Sequence, residues 1–539
     1  MSFKTQFKAL LGSTALVAAS TLPGFATDLH ILHFNDFHSR IESVSRYNST
    51  CSAESEAAGE CFGGAARLYA LVNQMRSAIE AEGDPVIVLD AGDASQGSLF
   101  YTTYGGEVEA ELLERIGIDA MAVGNHEFDL GPEGLAVFLD NVSFPILSSN
   151  LDVSGADMLA GRVAPYTIIE EGDMRIGIVS ALATDTVETS SPGPTVTFND
   201  EIEALNAAVA ELQAEGASPI IALTHVGYRK DQEIAAQVPG LAAVVGGHSH
   251  TYLSASDPDR DGPYPTWVDA ENGALVPVVT AGAYSRYLGH LVLELDDEGN
   301  LLHASGDAIP ITAEVEPDAD IAEWVAGLAG PIDEFRNEPV SESAGLIEGD
   351  RSVCRQRECS MGTLVADAML ARVADQGVTI AIQNGGGLRA SIDEGVVTMG
   401  EVYSVLPFQN TLATFELSGA NIVAALENGV SQLEDGAGRF AQVAGLQYTF
   451  DPAAEAGSRV SDVMVQADGA WVPIDPEATY GVVTNDYMRN GGDGYAVFRD
   501  EASNAYDFGP DLADVLVAYM QENAPYEPYT DGRITRLGE

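Results

Sequence analysis

The chain has 539 residues, 82 of them acidic and 25 basic, for a formal net charge of −57. At roughly 150 residues per domain this length holds two to four domains with ample core, and 46% apolar with 20% charged residues marks a globular protein, not a disordered acidic tail. The acidity excludes non-specific nucleic-acid binding and docking on anionic lipid, because both surfaces repel it.

Met1–Ala26 reads as a cleavable signal peptide. Lys4 and Lys8 form a basic start, Ala9 to Ala19 a short apolar stretch, and Gly24 and Ala26 place small residues at −3 and −1 of a cleavage site. No later apolar run approaches the ~18 residues that span a bilayer. The polar end, Ile534 to Glu539, carries no lipid-anchor signal. The expectation is a soluble periplasmic or secreted protein. Four cysteines fit that compartment, and local pairs Cys51–Cys61 and Cys354–Cys359 are the simplest of the three connectivities. A structural zinc site is the rival, with poor ligand spacing.

From Asp28 to about Ile311, short β-rich runs alternate with helical segments. Strands are expected at Leu29–Phe34, Val86–Leu89, Ala120–Val123, Arg175–Val179, Ile220–Leu223, Ala243–Val245, Val276–Thr280 and Gly289–Leu295. Several are continuous apolar runs, as in strands buried on both faces. Ala65–Ala81 and Glu201–Gln213 read as helices, and a turn cluster at Asp296–Asn300 leads into Leu301–Ala304. Apolar spacing over Asp318–Phe335 predicts a linker helix, punctuated by Pro317, Pro331 and Pro339. A second, α+β domain follows, with an early helix near Gly362–Ala374 and a strand at Val378–Gln383.

Polar clusters follow five of the first-domain strands: Asn35-Asp36-Phe37-His38, Gly92-Asp93, Gly124-Asn125-His126-Glu127-Phe128-Asp129, Thr224-His225 and Gly246-Gly247-His248-Ser249-His250. Strand ends at one edge of an α/β sheet are where ligand sites form. Carboxylate, amide and imidazole without thiolate are hard and borderline metal ligands. The period of two in Asp36-x-His38 and His248-x-His250 is expected to put both side chains of each pair on one side of an extended backbone. Asp93 is the best candidate to bridge two cations, and two such cations would clamp a phosphate and generate hydroxide at neutral pH. His30, His33, His290 and His303 fall outside these clusters and read as ordinary strand or turn histidines.

Taken in order, these five clusters resemble the calcineurin-type dinuclear metallophosphoesterases. Ile31–Glu42 (ILHFNDFHSRIE) and Gly124–Asp129 (GNHEFD) resemble the 5′-nucleotidases within that superfamily. The resemblance implies an α/β chain with a four-layer αββα metallophosphoesterase domain (27–315), a linker helix (316–338) and a C-terminal α+β nucleotide-binding domain (339–539). It implies two divalent metal ions, with zinc, manganese and cobalt all suited to the ligands. Asp36, His38, Asp93 and His250 would hold one. Asp93, Asn125, His225 and His248 would hold the other. His126 with Asp129 would be the catalytic dyad, stabilising negative charge on the phosphoryl group.

Cys354–Met369 (CRQRECSMGTLVADAM) resembles the animal ecto-5′-nucleotidases. By the same resemblance, Phe408 and Tyr487 would sandwich a base, Asp493 would take the ribose hydroxyls, Arg355 and Arg389 would face phosphate, and Asn384 would contact the nucleoside. Stacking on two aromatic faces tolerates several bases. The animal enzymes have Phe where Tyr487 stands. In Asn384–Arg389 the three glycines are expected to let backbone approach a ligand. The implied function is hydrolysis of nucleoside 5′-monophosphates, with nucleoside di- and triphosphates and UDP-sugars as further substrates. A 2′,3′-cyclic-nucleotide phosphodiesterase and a non-catalytic extracellular nucleotide-binding protein are the alternatives. Oligomeric state is not legible.

Overall fold

The computed structural model describes residues 27–538, apart from positions 47, 49, 50, 173, 409, 468 and 508. The expected signal peptide lies outside the described residues. Among them, no helix is long and apolar enough to cross a membrane.

Two six-stranded sheets face each other in the first half of the chain. One has the order Leu301–Pro310, Tyr287–Leu295, Thr27–Phe34, Val86–Asp90, Ala120–Ala122, Ile146–Leu147. Its last four strands run parallel, and the other two are antiparallel additions. The second has the order Thr266–Asp269, Leu275–Val279, Ala243–Gly246, Ile220–His225, Met174–Leu182, Tyr166–Glu171, with four parallel strands between antiparallel edges.

The continuous apolar runs are explained by burial on both faces. Leu29, Ile31, Ile87 and Leu89 pack against Ile178, Ile221, Leu223 and Val245 in a core between the sheets. Their neighbours Leu32, Phe34 and Val88 point the other way, into a core beneath helix Ala65–Glu82. Val179, Ala222 and Val244 likewise meet helix Glu201–Ala214. Alternation thus sends each strand's side chains into two dry layers, and the result is the four-layer αββα arrangement. Parallel strands deliver their carboxyl ends to one edge, which gathers the polar clusters.

The expected strands and helices are present, with ends that differ by a few residues. The antiparallel edges Tyr166–Glu171 and Thr266–Asp269 have no counterpart among the expected strands; their mixed burial leaves no clear apolar signal. Helix Ala319–Arg336 begins at Asp318, whose carboxylate accepts from the N–H groups of Asp320 and Ile321, and it continues through Pro331. A proline costs the helix one backbone hydrogen bond and crowds the carbonyl four residues back, a local cost that this helix carries at Pro331. Beyond it, a five-stranded and a four-stranded sheet form the C-terminal domain, with helices Ser360–Val373 and Leu512–Glu522 over the former. Both expected disulfides, Cys51–Cys61 and Cys354–Cys359, are formed. His30, His33, His290 and His303 lie on strands, outside the five polar clusters.

One buried acid lies behind the polar edge, beside Ser39 and Glu127. Glu109, on helix Glu107–Ile116, is fully buried, and burial pushes its carboxyl up to about 7. The folded state therefore holds this proton more tightly than the unfolded chain. Its stabilising contribution is full below the unfolded value near 4.5 and is lost as pH rises to about 7, a span worth about 3 kcal/mol. Thermal melts of Glu109→Gln against wild type are expected to diverge in favour of the variant as pH is raised through this range. Parallel curves would contradict that.

Candidate active site

The loops after the strands are tightly wound. Asp36, His38, Asp93, His248 and His250 all have positive φ, between 51° and 75°. This corrects the expectation of extended backbone at Asp36-x-His38 and His248-x-His250. Side chains converge there because left-handed turns fold the loops over the sheet edge. Such conformations are costly for non-glycine residues and cluster at functional sites. The loops are sewn together by Asp36 N–H to Gly92 O at 2.9 Å and His38 N–H to Asp93 O at 3.0 Å. Gly124 is needed for a different reason: a Cβ there would sit 2.2 Å from Asp93 Oδ1.

Seven expected ligands meet at this edge. Ligand atoms of Asp36, His38 and His250 lie within 4.8 Å of one another, as do those of Asp93, His225 and His248. Asn125 Oδ1 is 2.8 Å from His248 Nδ1. Asp93 Oδ2 sits between the groups, 3.1 Å from His225 Nε2 and 3.8 Å from His38 Nε2, while Oδ1 accepts from the His126 N–H. One oxygen thus faces both clusters.

The bonding pattern fits divalent cations. Asp36 Oδ2 accepts from Asn35 Nδ2 at 2.7 Å and from the His248 N–H at 3.0 Å, yet its Oδ1 is buried without a hydrogen-bond partner. His225 Nδ1 lies 2.7 Å from Ala91 O, which places a proton on Nδ1 and turns Nε2 inward toward Asp93 Oδ2. Buried polar atoms left unpaired are expensive, and a metal ion satisfies them. Burial lowers His248 to about 3, and with Arg389 holds His38 well below its ordinary value. Both stay neutral, as imidazole ligands must. In the protein alone His225 behaves differently. Burial lowers it, but the Asp93 carboxylate outweighs that and lifts it to about 10.

His126 Nδ1 lies 2.6 Å from Asp129 Oδ2 on the adjoining turn. Burial opposes its charge, but the Asp129 and Asp93 carboxylates prevail and raise its pKa. Its ring borders a cavity of about 630 Å³ between the two domains.

The C-terminal domain brings the other expected residues to this cavity, where Arg355, Asn384, Arg389, Phe408, Tyr487 and Asp493 all line the wall. Arg389 Nη2 is 3.3 Å from His38 Nε2, and the Phe408 ring is 5.7 Å from the His126 ring. Asp493 Oδ2 accepts from Asn384 Nδ2 at 2.6 Å, and the Asp493 N–H donates to the Tyr487 hydroxyl at 3.1 Å. The glycines of Asn384–Arg389 differ partly from expectation. A Cβ on Gly385 would lie 2.5 Å from Cys354 O, so that glycine admits the disulfide loop, whereas Gly386 and Gly387 border the cavity.

Sequence reasoning gives no role to three residues that the structure places here. Glu127 accepts from the N–H groups of Asp93, Ser95 and Gly124 at 3.1, 3.0 and 2.7 Å, tying two ligand loops together. Asn35 orients Asp36 and also binds Gly282 O. Arg351 lines the cavity one helical turn before Arg355, a spacing that could have flagged it. Burial and the mutual repulsion of Arg351, Arg355 and Arg389 depress Arg355, a cluster that an anion would relieve.

Residues 29–252 match the family model of calcineurin-like phosphoesterases, and residues 339–500 match that of the 5′-nucleotidase C-terminal domain. The chain is 37% identical over 535 residues to 5′-nucleotidase of Homo sapiens, covering 94% of this chain and 91% of that one. It is 33% identical over 547 residues to snake venom 5′-nucleotidase of Gloydius brevicauda, covering 97% and 91%. Among solved structures it is similar to a 5′-nucleotidase precursor from Thermus thermophilus, with a TM-score of 0.90 and 41% identity over 95% of this chain and 100% of that one. The chain belongs to the 5′-nucleotidase family and is a metal-dependent phosphoester hydrolase.

Proposed function

We propose that the protein hydrolyses nucleoside 5′-monophosphates to nucleoside and phosphate outside the cytoplasm. Nucleoside di- and triphosphates and UDP-sugars are further substrates in this reading. One observation carries it: a single cavity joins the Asp/Asn/His edge and the His126–Asp129 pair to an arginine, aromatic and carboxylate wall from the other domain. The domains are read as 27–315 and 339–539, with 316–338 between them. The leader pattern of Met1–Ala26 and the two disulfides support the compartment.

Asp36, His38, Asp93 and His250 would hold one divalent cation, and Asp93, Asn125, His225 and His248 a second, with zinc, manganese and cobalt the candidates. When bound, such cations act as Lewis acids on phosphoryl oxygens and lower the pKa of water. The side chains do the rest. Arg355 and Arg389 bind the phosphate. Phe408 and Tyr487 stack on the base, and Asp493, held by Asn384, accepts from the ribose hydroxyls. His126, whose charged form the Asp129 and Asp93 carboxylates favour, stabilises negative charge on the phosphoryl group as the P–O bond to the nucleoside breaks. The nucleoside oxygen leaves with a proton, and the phosphorus gains one oxygen from water.

Initial rates on AMP, 2′,3′-cyclic AMP and UDP-glucose test the reading. AMP is expected to be turned over efficiently; much faster turnover of the cyclic nucleotide would overturn it. Asp493→Ala is expected to raise KM for AMP roughly tenfold or more, the scale of a lost charge-assisted hydrogen bond, and to shrink the preference for AMP over 2′-deoxy-AMP. An unchanged ratio would remove Asp493 from the ribose site.

A further inference from the structure

Ser190 belongs to neither the ligand set nor the nucleotide wall, yet it touches the dyad. Its Oγ donates to Asp129 Oδ1 at 2.7 Å, while Asp129 Oδ2 lies 2.6 Å from His126 Nδ1. Each carboxylate oxygen thus has its own partner. With one oxygen anchored, the carboxylate cannot swing without breaking a bond. The direction from which Oδ2 meets the imidazole is therefore set from the Ser190 side.

Ser190 is itself held in place. It ends the short helix Thr186–Thr189, and its N–H donates to Thr186 O at 3.0 Å. Thr186 is buried, and its Oγ1 donates to Ala183 O at 2.7 Å, anchoring the turn to the end of strand Met174–Leu182. On its other side the helix packs against the turn Gly492–Gly494 of the C-terminal domain, which carries Asp493. Ser190, Asp129 and Asp493 border the same cavity. The seat of Ser190 is thus built partly by the domain that presents the ribose-site carboxylate.

We propose that Ser190 is a positioning residue that fixes the Asp129 carboxylate, and through it His126, in the geometry for phosphoryl transfer. The proposal rests on the reading of His126–Asp129 as the catalytic dyad. The test is a double-mutant cycle on the full-length enzyme, with kcat and KM for AMP measured separately in wild type, Ser190→Ala, Asp129→Ala and the double variant. Ser190→Ala is expected to lower kcat about tenfold with KM within about twofold, the scale of one hydrogen bond to a charged group. In the Asp129→Ala background the same change is expected to cost nothing more, because its target is gone. An unchanged kcat in Ser190→Ala overturns the proposal. So does an equal loss in both backgrounds, which would mark a role in loop structure alone. If Asp129→Ala itself keeps wild-type kcat, the dyad reading fails first, and that outcome is distinct from the other two.

Discussion

Replacing His126 with alanine is expected to lower kcat by two to four orders of magnitude while bound metal is retained. The magnitude is that of a positioned acid–base or charge-stabilising group. Retention is expected because His126 turns Nδ1 to Asp129 and its hydrogen bond to Asp93 runs through the backbone N–H, which alanine keeps, although a ring nitrogen of His126 also lies within 4.8 Å of ligand atoms of His38 and Asp93. An imidazolium beside a developing negative charge contributes more from a fixed, buried position such as that of His126 than it would in solvent. Asp129→Asn should fall in the same direction by less, because an amide still orients the ring but no longer favours its charged form. Metal content measured beside kcat separates the roles. If His126→Ala loses metal in proportion to activity, His126 is a ligand. If it keeps full activity, the dyad assignment is wrong.

The polar edge that carries the proposed metal ligands is legible in the sequence because of how parallel sheets bury their strands. A strand dry on both faces reads as an apolar run, so a polar cluster straight after it, such as Asn125-His126 after Ala120–Ala122, stands out. What supports those ligands is less visible. Glu127 lies inside the GNHEFD stretch, yet its task is to collect N–H groups from two loops far apart in sequence, which only the folded backbone displays. Ser190 lies 61 residues from Asp129 with no motif around it. The loop conformation departs from the sequence pattern for a physical reason: period-two spacing predicts a strand, but Asp36, His38, His248 and His250 accept unfavourable φ values to converge. Pro331 reads as punctuation, but a proline's cost is local and the helix runs through it.

Asp93→Ala should be the most damaging single change at the polar edge. Its Oδ2 is the oxygen that faces both ligand groups, toward His225 on one side and His38 on the other. Its loss removes one carboxylate from each proposed cation set, and it leaves His225 without the charge that raises its pKa. Metal analysis is expected to give two divalent ions per chain for wild type and fewer than one for the variant, with activity on AMP below detection. The same pair predicts an acid limit on metal content. In the protein alone His225 holds a proton because Asp93 favours it, and a cation must displace that proton to bind. Occupancy at a fixed free-metal concentration should therefore fall as pH falls, with one or more protons released per chain on loading at neutral pH. Calorimetric titrations in buffers of different ionisation enthalpy measure that release. Loading without proton release would show that His225 is already neutral, and an Asp93→Ala variant that still binds two ions would show that Asp93 does not bridge.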